Sequence, residues 1–224
     1  MDGGIDLKGV IDSLERYLSV KDEEFIAYHL CKSKYNPFEV LVSIILSQNT
    51  RDDLALVAFN NLRNKLGVIT PRSILSHTIN EIEDTLRIAG LYRRKAQVLT
   101  SLARSIENLG GVDVLKLLSP EELRKILLDI DGIGYKTVDV FMLMCRGRDV
   151  FPIDTHIRRV LSRLGIINRG EHYLKIQEKI HKTLPPSYYL KAHLLLIGLG
   201  RKFCRARKPL CNKCFIATLC PKII

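Results

Sequence analysis

The sequence has no run of about 18 consecutive apolar residues, the length that a membrane-spanning helix requires. Its first 18 residues carry charges throughout and contain no apolar core, so they do not form the pattern of a signal peptide. Low-complexity segments and internal repeats are also absent. We therefore expect a cytoplasmic protein with no membrane partner.

Signals for β-structure are scarce as well, with no hairpin turn and no convincing strand alternation. The runs VDVFML (138–143) and LLLIGL (194–199) are apolar enough for buried strands, but their surroundings favour buried helices. Helical periodicity dominates instead and predicts an all-α protein. The predicted helices cover residues 5–18, 37–47, 52–66, 79–88, 93–109, 119–130, 137–145, 155–163, 171–183 and 187–199.

Acidic residues are too few to balance the basic ones. The 224-residue chain has 35 Lys and Arg against 24 Asp and Glu, which gives a net charge of +11. Such a surplus suits a polyanionic partner, because each neutralised phosphate releases counterions. A charge that only aids solubility is the alternative, and composition leaves both open.

Cysteines are few, and four of the six are clustered with the spacing C-x6-C-x2-C-x5-C as Cys204, Cys211, Cys214 and Cys220. In a reducing compartment such a cluster indicates metal binding instead of disulfides. Four thiolates can hold either zinc or an iron–sulfur cluster. The other two, Cys31 and Cys145, have apolar neighbours and are predicted to be core residues.

The segment DIDGIGYKTVDVFML, residues 129–143, reads as helix, Gly-Ile-Gly turn, helix. Gly132 and Gly134 leave backbone N–H groups unobstructed, and Tyr135 and Thr137 lie where the second helix begins. The positive dipole end of that helix completes a phosphate site that reads no base. An ordinary interhelical turn is the alternative.

The helix before this turn has a clear start signal. Ser119 is the expected N-cap, Pro120 the first helical residue and Glu122 the partner in a capping box. Ile133, between the two glycines, is expected to plug the turn into the core.

Several segments together resemble the endonuclease III branch of the helix–hairpin–helix DNA glycosylases. They are L-x-x-I-x-G-I-G-x-K-T at 127–137, PIDTHIRRV at 152–160, the four-cysteine run, NPFEVLVSIILSQNTRD at 36–52 and AGLYRRKA at 89–96. The resemblance covers nearly the whole chain in the right order. It implies a bifunctional glycosylase and abasic-site lyase of base excision repair, a nucleoid-associated monomer that acts on duplex DNA with an oxidised pyrimidine or an abasic site.

The same resemblance implies a two-lobed fold. A six-helix barrel lobe would hold residues 28–146, with the helix–hairpin–helix at 119–145. The second lobe would join residues 1–27 to 147–224 and carry a [4Fe–4S] cluster on the loop 204–220.

Lys136 lies two residues past Gly134, in the expected first turn of the second hairpin helix. The positive end of the helix dipole disfavours an ammonium, and an amine is nucleophilic only when unprotonated. A surface lysine that contacts phosphate is the alternative. By resemblance, Lys136 matches the lysine that attacks the sugar C1′, forms a Schiff base and nicks the strand by β-elimination.

Asp154, in Pro-Ile-Asp-Thr-His, precedes an amphipathic helix, so a plain N-cap is one interpretation. A carboxylate can also stabilise an oxocarbenium-like state or accept a proton. The resemblance maps Asp154 onto the catalytic aspartate of the family, which is expected to meet Lys136 at the lobe boundary. Arg158 and Arg159 are expected to form a solvated or phosphate-facing edge.

Chemistry at C1′ requires the nucleotide to leave the base stack. By resemblance, Asn49 or Gln48 supplies a polar wedge, with helix capping as the alternative. Leu91 matches an inserting residue, with core packing as the alternative. The basic residues Arg93, Arg94 and Lys95 are expected to reach phosphates.

The cysteine spacing matches the iron–sulfur pattern of the family, whereas zinc sites usually pair two C-x2-C units. The cluster would then hold a basic loop, with Arg205, Arg207 and Lys208, against the DNA backbone. Two other functions stay open: a mismatch thymine or uracil glycosylase, and a non-catalytic iron–sulfur DNA-binding protein.

Overall fold

The computed structural model describes residues 5–223, which contain α-helices, three short 3-10 turns and no β-strand. The prediction of an all-α protein is confirmed. Residues 1–4 and 224, which belong to the predicted second lobe, lie outside the described residues. The helices are α1 (Leu7–Tyr17), α2 (Ile26–Lys32), α3 (Pro37–Leu46), α4 (Asp52–Leu66), α5 (Pro71–Leu75), α6 (Ile79–Leu86), α7 (Tyr92–Asn108), α8 (Val114–Leu117), α9 (Pro120–Leu128), α10 (Tyr135–Arg146), α11 (Thr155–Arg163), α12 (Tyr173–Thr183) and α13 (Tyr189–Lys202).

Local capping signals decide where several helices begin. The capping box of α9 is confirmed, because Ser119 accepts from the backbone of Glu122 while the Glu122 carboxylate accepts from the backbone of Ser119. Equivalent boxes start α3, α5 and α6. Each satisfies two N–H groups that the helix itself leaves without acceptors.

The described chain divides into two compact units. We call Asp22–Arg148 the hairpin unit, and we call the described residues before Asp22 together with those from Asp149 onward the cysteine-loop unit. Within the hairpin unit, α3 is the central helix, with nine of its ten residues buried. It packs against α2, α4, α7 and α10, so it supports the elements that carry the turn.

In the cysteine-loop unit the central helix is α13, which packs against α1 and α11. Two glycines permit this close packing. A Cβ on Gly198 would lie 2.5 Å from Cγ1 of Val20, and one on Gly200 would lie 2.8 Å from Cβ of His156. Larger residues at these positions would push α13 away from the segment that follows α1 and from α11.

The two apolar runs that could have been buried strands are helical, as expected: residues 138–143 lie in α10 and residues 194–199 in α13. Their side chains are buried within their own units. Among residues 5–223, no helix is long and apolar enough to cross a membrane.

Candidate nucleic-acid interface

The Gly-Ile-Gly turn lies between α9 and α10 and is held against α7. Gly132 has a φ of +93°, and a Cβ there would lie 2.4 Å from Cγ2 of Val98. Only glycine satisfies both the conformation and the close approach. Ile133 is 4 % exposed, so its side chain is buried in the core as predicted. Gly134 is the N-cap of α10 and has open space beside it, so the first amides of that helix can receive an anion.

Lys136 lies in the first turn of α10 and is half-buried. Its neighbour Tyr135 is partly exposed, with the Arg124 guanidinium 5.4 Å from the ring centroid. Arg124 also pairs with the fully buried carboxylate of Asp139. An ion pair that sequence analysis missed therefore joins α9 to α10 beside the turn. The partners lie 15 residues apart on two different helices, so the spacing rules for ion pairs within one helix do not indicate this pair.

Gln48 joins the loop between α3 and α4 to the turn. Its Nε2 donates to the carbonyl of Gly132 at 3.3 Å and to the hydroxyl of Thr137 at 3.0 Å. The side chain of Thr137 is 3 % exposed, so it supports the turn from inside and does not present its hydroxyl to DNA. Asn49, the next residue, is exposed and left-handed, with a φ of +51°. Asn tolerates this conformation better than most residues.

Lys95 is 2 % exposed, so the expectation that it reaches phosphates is wrong. Its Nζ donates to the carbonyl of Leu46 at 2.8 Å and to Oγ1 of Thr50 at 2.5 Å. Burial lowers the pKa of this amine to about 8. Because Leu46 ends α3 and Thr50 precedes α4, the buried amine closes the loop that contains Asn49.

Leu91 is 61 % exposed, so the alternative of core packing is wrong for it. It is the N-cap of α7 and is left-handed, with a φ of +60°. Its carbonyl accepts from the backbone N–H of Lys95 at 3.0 Å. Exposed leucines in this conformation are uncommon, and such strain concentrates at binding sites.

Arg93 and Arg94 are exposed at the start of α7. Arg94 pairs with Asp131 of the turn at 2.7 Å, and Arg93 lies 3.8 Å from Glu83. Exposed pairs of this kind contribute little to stability, so both guanidinium groups can exchange a carboxylate for a phosphate.

Asp154 is half-buried and is the N-cap of α11. Its Oδ1 accepts from the backbone N–H of Ile157 at 2.7 Å, so the N-cap interpretation is confirmed. This hydrogen bond fixes the orientation of the carboxyl group and leaves the second oxygen to other contacts.

Arg158 and Arg159 do not form a solvated edge. Arg158 donates to the carbonyl of Glu171, and Arg159 donates to the carbonyls of Cys204 at 2.8 Å and Gly200 at 2.9 Å. These acceptors are far away in sequence, so periodicity could not reveal them. Both arginines therefore stabilise the cysteine-loop unit, and Arg159 anchors the first cysteine.

The exposed loop after Cys204 contains Arg205, Arg207 and Lys208. Arg163 of α11 holds its base, donating to the carbonyls of Arg205 at 2.7 Å and Ala206 at 3.2 Å. The helix that Asp154 caps is thus also the helix that orders the basic loop.

All four clustered cysteines line one cavity, whose wall is otherwise mainly apolar, including Leu164, Leu199, Phe203 and Ile216. Two donors point to their sulfurs: Nη1 of Arg163 lies 3.4 Å from Sγ of Cys204, and the backbone N of Lys222 lies 3.4 Å from Sγ of Cys220. Across residues 5–223, no group of three or more His, Cys, Asp or Glu side chains is arranged to hold a metal ion. Four thiols around a mainly apolar cavity, with two donors to sulfur, nevertheless provide the kind of ligands that an iron–sulfur cluster takes, and zinc takes thiolates as well.

Residues 42–186 match the HhH-GPD superfamily of base excision DNA repair proteins. Endonuclease III of Sulfolobus acidocaldarius is 41 % identical over 207 residues, which is 92 % of either chain. A structure of a trapped endonuclease III–DNA covalent intermediate superposes with a TM-score of 0.81 at 26 % identity and covers 96 % of this chain and 94 % of its own. A thermostable thymine-DNA glycosylase reaches 0.79 at 23 % identity, covering 97 % and 96 %, and shows likeness of fold alone.

Proposed function

Because the chain belongs to the HhH-GPD superfamily, in its endonuclease III family, and is therefore a DNA glycosylase of base excision repair, we propose that it is bifunctional. It removes oxidised pyrimidines from duplex DNA and then nicks the strand on the 3′ side of the abasic site. The observation that carries this proposal is the half-buried Lys136 in the first turn of α10, directly after the Gly-Ile-Gly turn.

The position of Lys136 suits a nucleophile. Phosphates bound at the turn would bring the sugar of the lesion to the amino terminus of α10, where the helix dipole disfavours a protonated amine. The Lys136 amine attacks C1′ as the bond to the base breaks, and the base leaves with a proton. Opening of the sugar ring then gives a Schiff base between Nζ and C1′.

Strand scission follows from that intermediate. The iminium accepts the electron pair of the C2′–H bond as C2′ loses a proton, which gives an enamine. The enamine electrons then form a C2′–C3′ double bond, the C3′–O bond breaks, and the 3′ phosphate leaves with the electron pair of that bond while the iminium is restored. Water then hydrolyses the Schiff base and returns Lys136 as the amine. The atoms balance without an oxidant or reductant.

Asp154 is proposed to assist the first step. Its carboxylate stabilises positive charge on the sugar in the oxocarbenium-like state and accepts a proton from the attacking amine. The hydrogen bond from Ile157 supports this role, because it holds one carboxylate oxygen in place before the substrate arrives.

Asn49 is proposed as the polar wedge that faces the orphaned base, with Leu91 as the apolar wedge beside the lesion. Both are exposed and left-handed. The side chain of Gln48 instead holds the Gly132 carbonyl, which favours Asn49 as the residue that reads the base edge. Arg93 and Arg94 contribute phosphate contacts nearby.

Cys204, Cys211, Cys214 and Cys220 are proposed to hold a [4Fe–4S] cluster. When bound, the cluster supplies a rigid anchor for the loop, in a region too small to order itself. Arg205, Arg207 and Lys208 then meet the DNA backbone with little loss of conformational entropy. A purified protein that is yellow-brown and contains iron and sulfide would support this assignment, and a colourless protein with stoichiometric zinc would overturn it.

The proposed activity is tested by separating base release from strand scission. Duplexes that carry thymine glycol, an abasic site or a G·T mismatch are incubated with the protein and analysed with and without alkali. We expect the thymine glycol and abasic duplexes to be nicked without alkali. Nicks that need alkali, on the mismatch above all, would identify a monofunctional mismatch glycosylase, and binding without base release would identify a non-catalytic protein.

A further inference from the structure

Two cysteines that lie far apart in sequence meet inside the hairpin unit. Cys31 lies in the last turn of α2 and Cys145 in the last turn of α10, and these helices pack against each other. Both side chains are half-buried, so the expectation that they are core residues is wrong. Neither belongs to the four-cysteine cluster.

The two thiols lie close enough to interact. Sγ of Cys31 donates to the carbonyl of Met144, the residue before Cys145, at 3.2 Å. The interaction between the two thiols lowers the pKa of Cys31 below its usual value and raises that of Cys145. Of the two sulfurs, Cys31 therefore forms the thiolate more readily, and Cys145 retains its proton.

Reagents can reach this pair. A cavity of about 380 Å³ is lined by both cysteines together with Tyr35, Lys116, Phe141 and Arg146. That size falls within the range of small-molecule sites. The guanidinium of Arg146 donates to the carbonyls of Leu115 and Leu118, whereas Lys116 adds a cation to the cavity wall that attracts anionic reagents.

We propose that Cys31 and Cys145 form a reversible dithiol–disulfide site, which low-molecular-weight disulfides oxidise. The thiolate of Cys31 attacks one sulfur of the reagent, breaks its S–S bond and expels one thiolate, which leaves a mixed disulfide on Cys31. The expelled thiolate accepts the proton of Cys145. The sulfur of Cys145 then attacks Sγ of Cys31 and expels the second thiol of the reagent. Overall, the reagent disulfide is reduced to two thiols and the two protein thiols are oxidised to one disulfide.

The disulfide would join the carboxyl-terminal turns of α2 and α10. Since it closes a long loop of the chain, it restricts the unfolded state strongly and raises the melting temperature. It also restrains the carboxyl-terminal end of α10, the helix whose first turn contains Lys136. Neither the glycosylase activity nor the cluster takes part in this thiol chemistry, so the disulfide forms or fails to form independently of the proposed function.

The test uses the full-length protein with its metal centre loaded. Samples are equilibrated in buffers of oxidised and reduced glutathione in varied ratio, and remaining thiols are alkylated before intact-mass and peptide analysis. We expect a Cys31–Cys145 linked peptide in oxidised glutathione, its disappearance in excess reduced glutathione, and a melting temperature several degrees higher for the linked form.

Two variants separate the roles of the sulfurs. Cys145→Ser should stop at a mixed disulfide between glutathione and Cys31, and Cys31→Ser should leave Cys145 largely unmodified. Both side chains are half-buried and serine is close in size, so circular dichroism and the melting temperature of each reduced variant report whether it folds. The proposal is overturned if both cysteines of the wild-type protein remain reduced in oxidised glutathione and are therefore alkylated afterwards. It is also overturned if glutathione forms its first mixed disulfide with Cys145. If either variant fails to fold, the order in which the two thiols of the reduced wild-type protein are alkylated shows which of them reacts first.

Discussion

The Nζ of Lys95 donates to the carbonyl of Leu46 at 2.8 Å and to Oγ1 of Thr50 at 2.5 Å, from a position that is 2 % exposed. The backbone N–H of the same residue donates to the carbonyl of Leu91 at 3.0 Å. One buried lysine therefore supports both exposed left-handed residues, Asn49 and Leu91. In the proposed complex these two residues fill the space beside the lesion.

The burial of Lys95 predicts an unusual dependence of stability on pH. Burial lowers the pKa of the folded protein's amine from 10.5 to about 8. Between these values the unfolded state binds more protons than the folded state, so the free energy of unfolding rises with pH. Relative to Lys95→Met, the wild type should gain up to about 3 kcal/mol from pH 7 to 10.5, since one pKa unit corresponds to about 1.4 kcal/mol.

Urea unfolding at a series of pH values measures this difference. Lys182→Met, at an exposed position of α12, is the matched control and should show a nearly constant difference from wild type. A difference between wild type and Lys95→Met that does not change with pH would show that the Lys95 amine has the same pKa in the folded and the unfolded protein.

Asn49 is expected to act through its amide and not through its backbone. Asn49→Gly keeps the left-handed conformation without strain and removes the amide. Base release from thymine glycol should fall about tenfold, the effect of one or two lost hydrogen bonds, with an unchanged melting temperature. Gln48→Ala should instead lower the melting temperature, because it removes the contacts to Gly132 and Thr137. Unchanged kcat/KM in Asn49→Gly would exclude Asn49 as the wedge.

Asp154 has a structural role and a proposed chemical role, and two substitutions distinguish them. Asn is as good an N-cap as Asp, so Asp154→Asn should keep stability while base release drops about 100-fold or more. Asp154→Ala should lose activity and about 1 kcal/mol of stability as well. Single-turnover assays and thermal unfolding measure the two effects. If Asp154→Asn releases base at the wild-type rate, the carboxylate serves only as a cap.

The basic loop is expected to contact phosphates without reading bases. Arg207→Ala should weaken binding to all duplexes alike and make the plot of log affinity against log salt less steep by about one unit. Lys182→Ala removes an equal charge outside the segments proposed to bind DNA and should leave the slope unchanged. Equal slopes for Arg207→Ala and wild type would remove Arg207 from the interface.

Features that depend on neighbours in sequence were predictable. The capping box of Ser119 and Glu122 and the N-cap of Asp154 each join residues three positions apart, and both are present. Helices α2, α5 and α8 were missed because seven, five and four residues are too few to show a helical period. Thr70-Pro71 could have marked the start of α5, since it combines an N-cap with proline at the first position.

Features that depend on distant contacts were not predictable. The acceptors of Lys95 lie 49 and 45 residues away in sequence, and those of Arg159 lie 45 and 41 residues away. One signal for Lys95 was nevertheless present. It falls on the same helical face as Leu99, Leu102 and Ile106, all fully buried, so the periodicity of α7 already points its side chain inward.

The central claim is that Lys136 is the nucleophile, and borohydride trapping tests it most directly. The protein is mixed with a duplex that carries one thymine glycol, borohydride is added, and products are separated on a denaturing gel. We predict a covalent protein–DNA adduct that is absent in Lys136→Gln, although that variant still binds the duplex. An adduct of wild-type yield in Lys136→Gln, or none in the wild type despite tight binding, would contradict the claim and leave Lys136 as a phosphate contact.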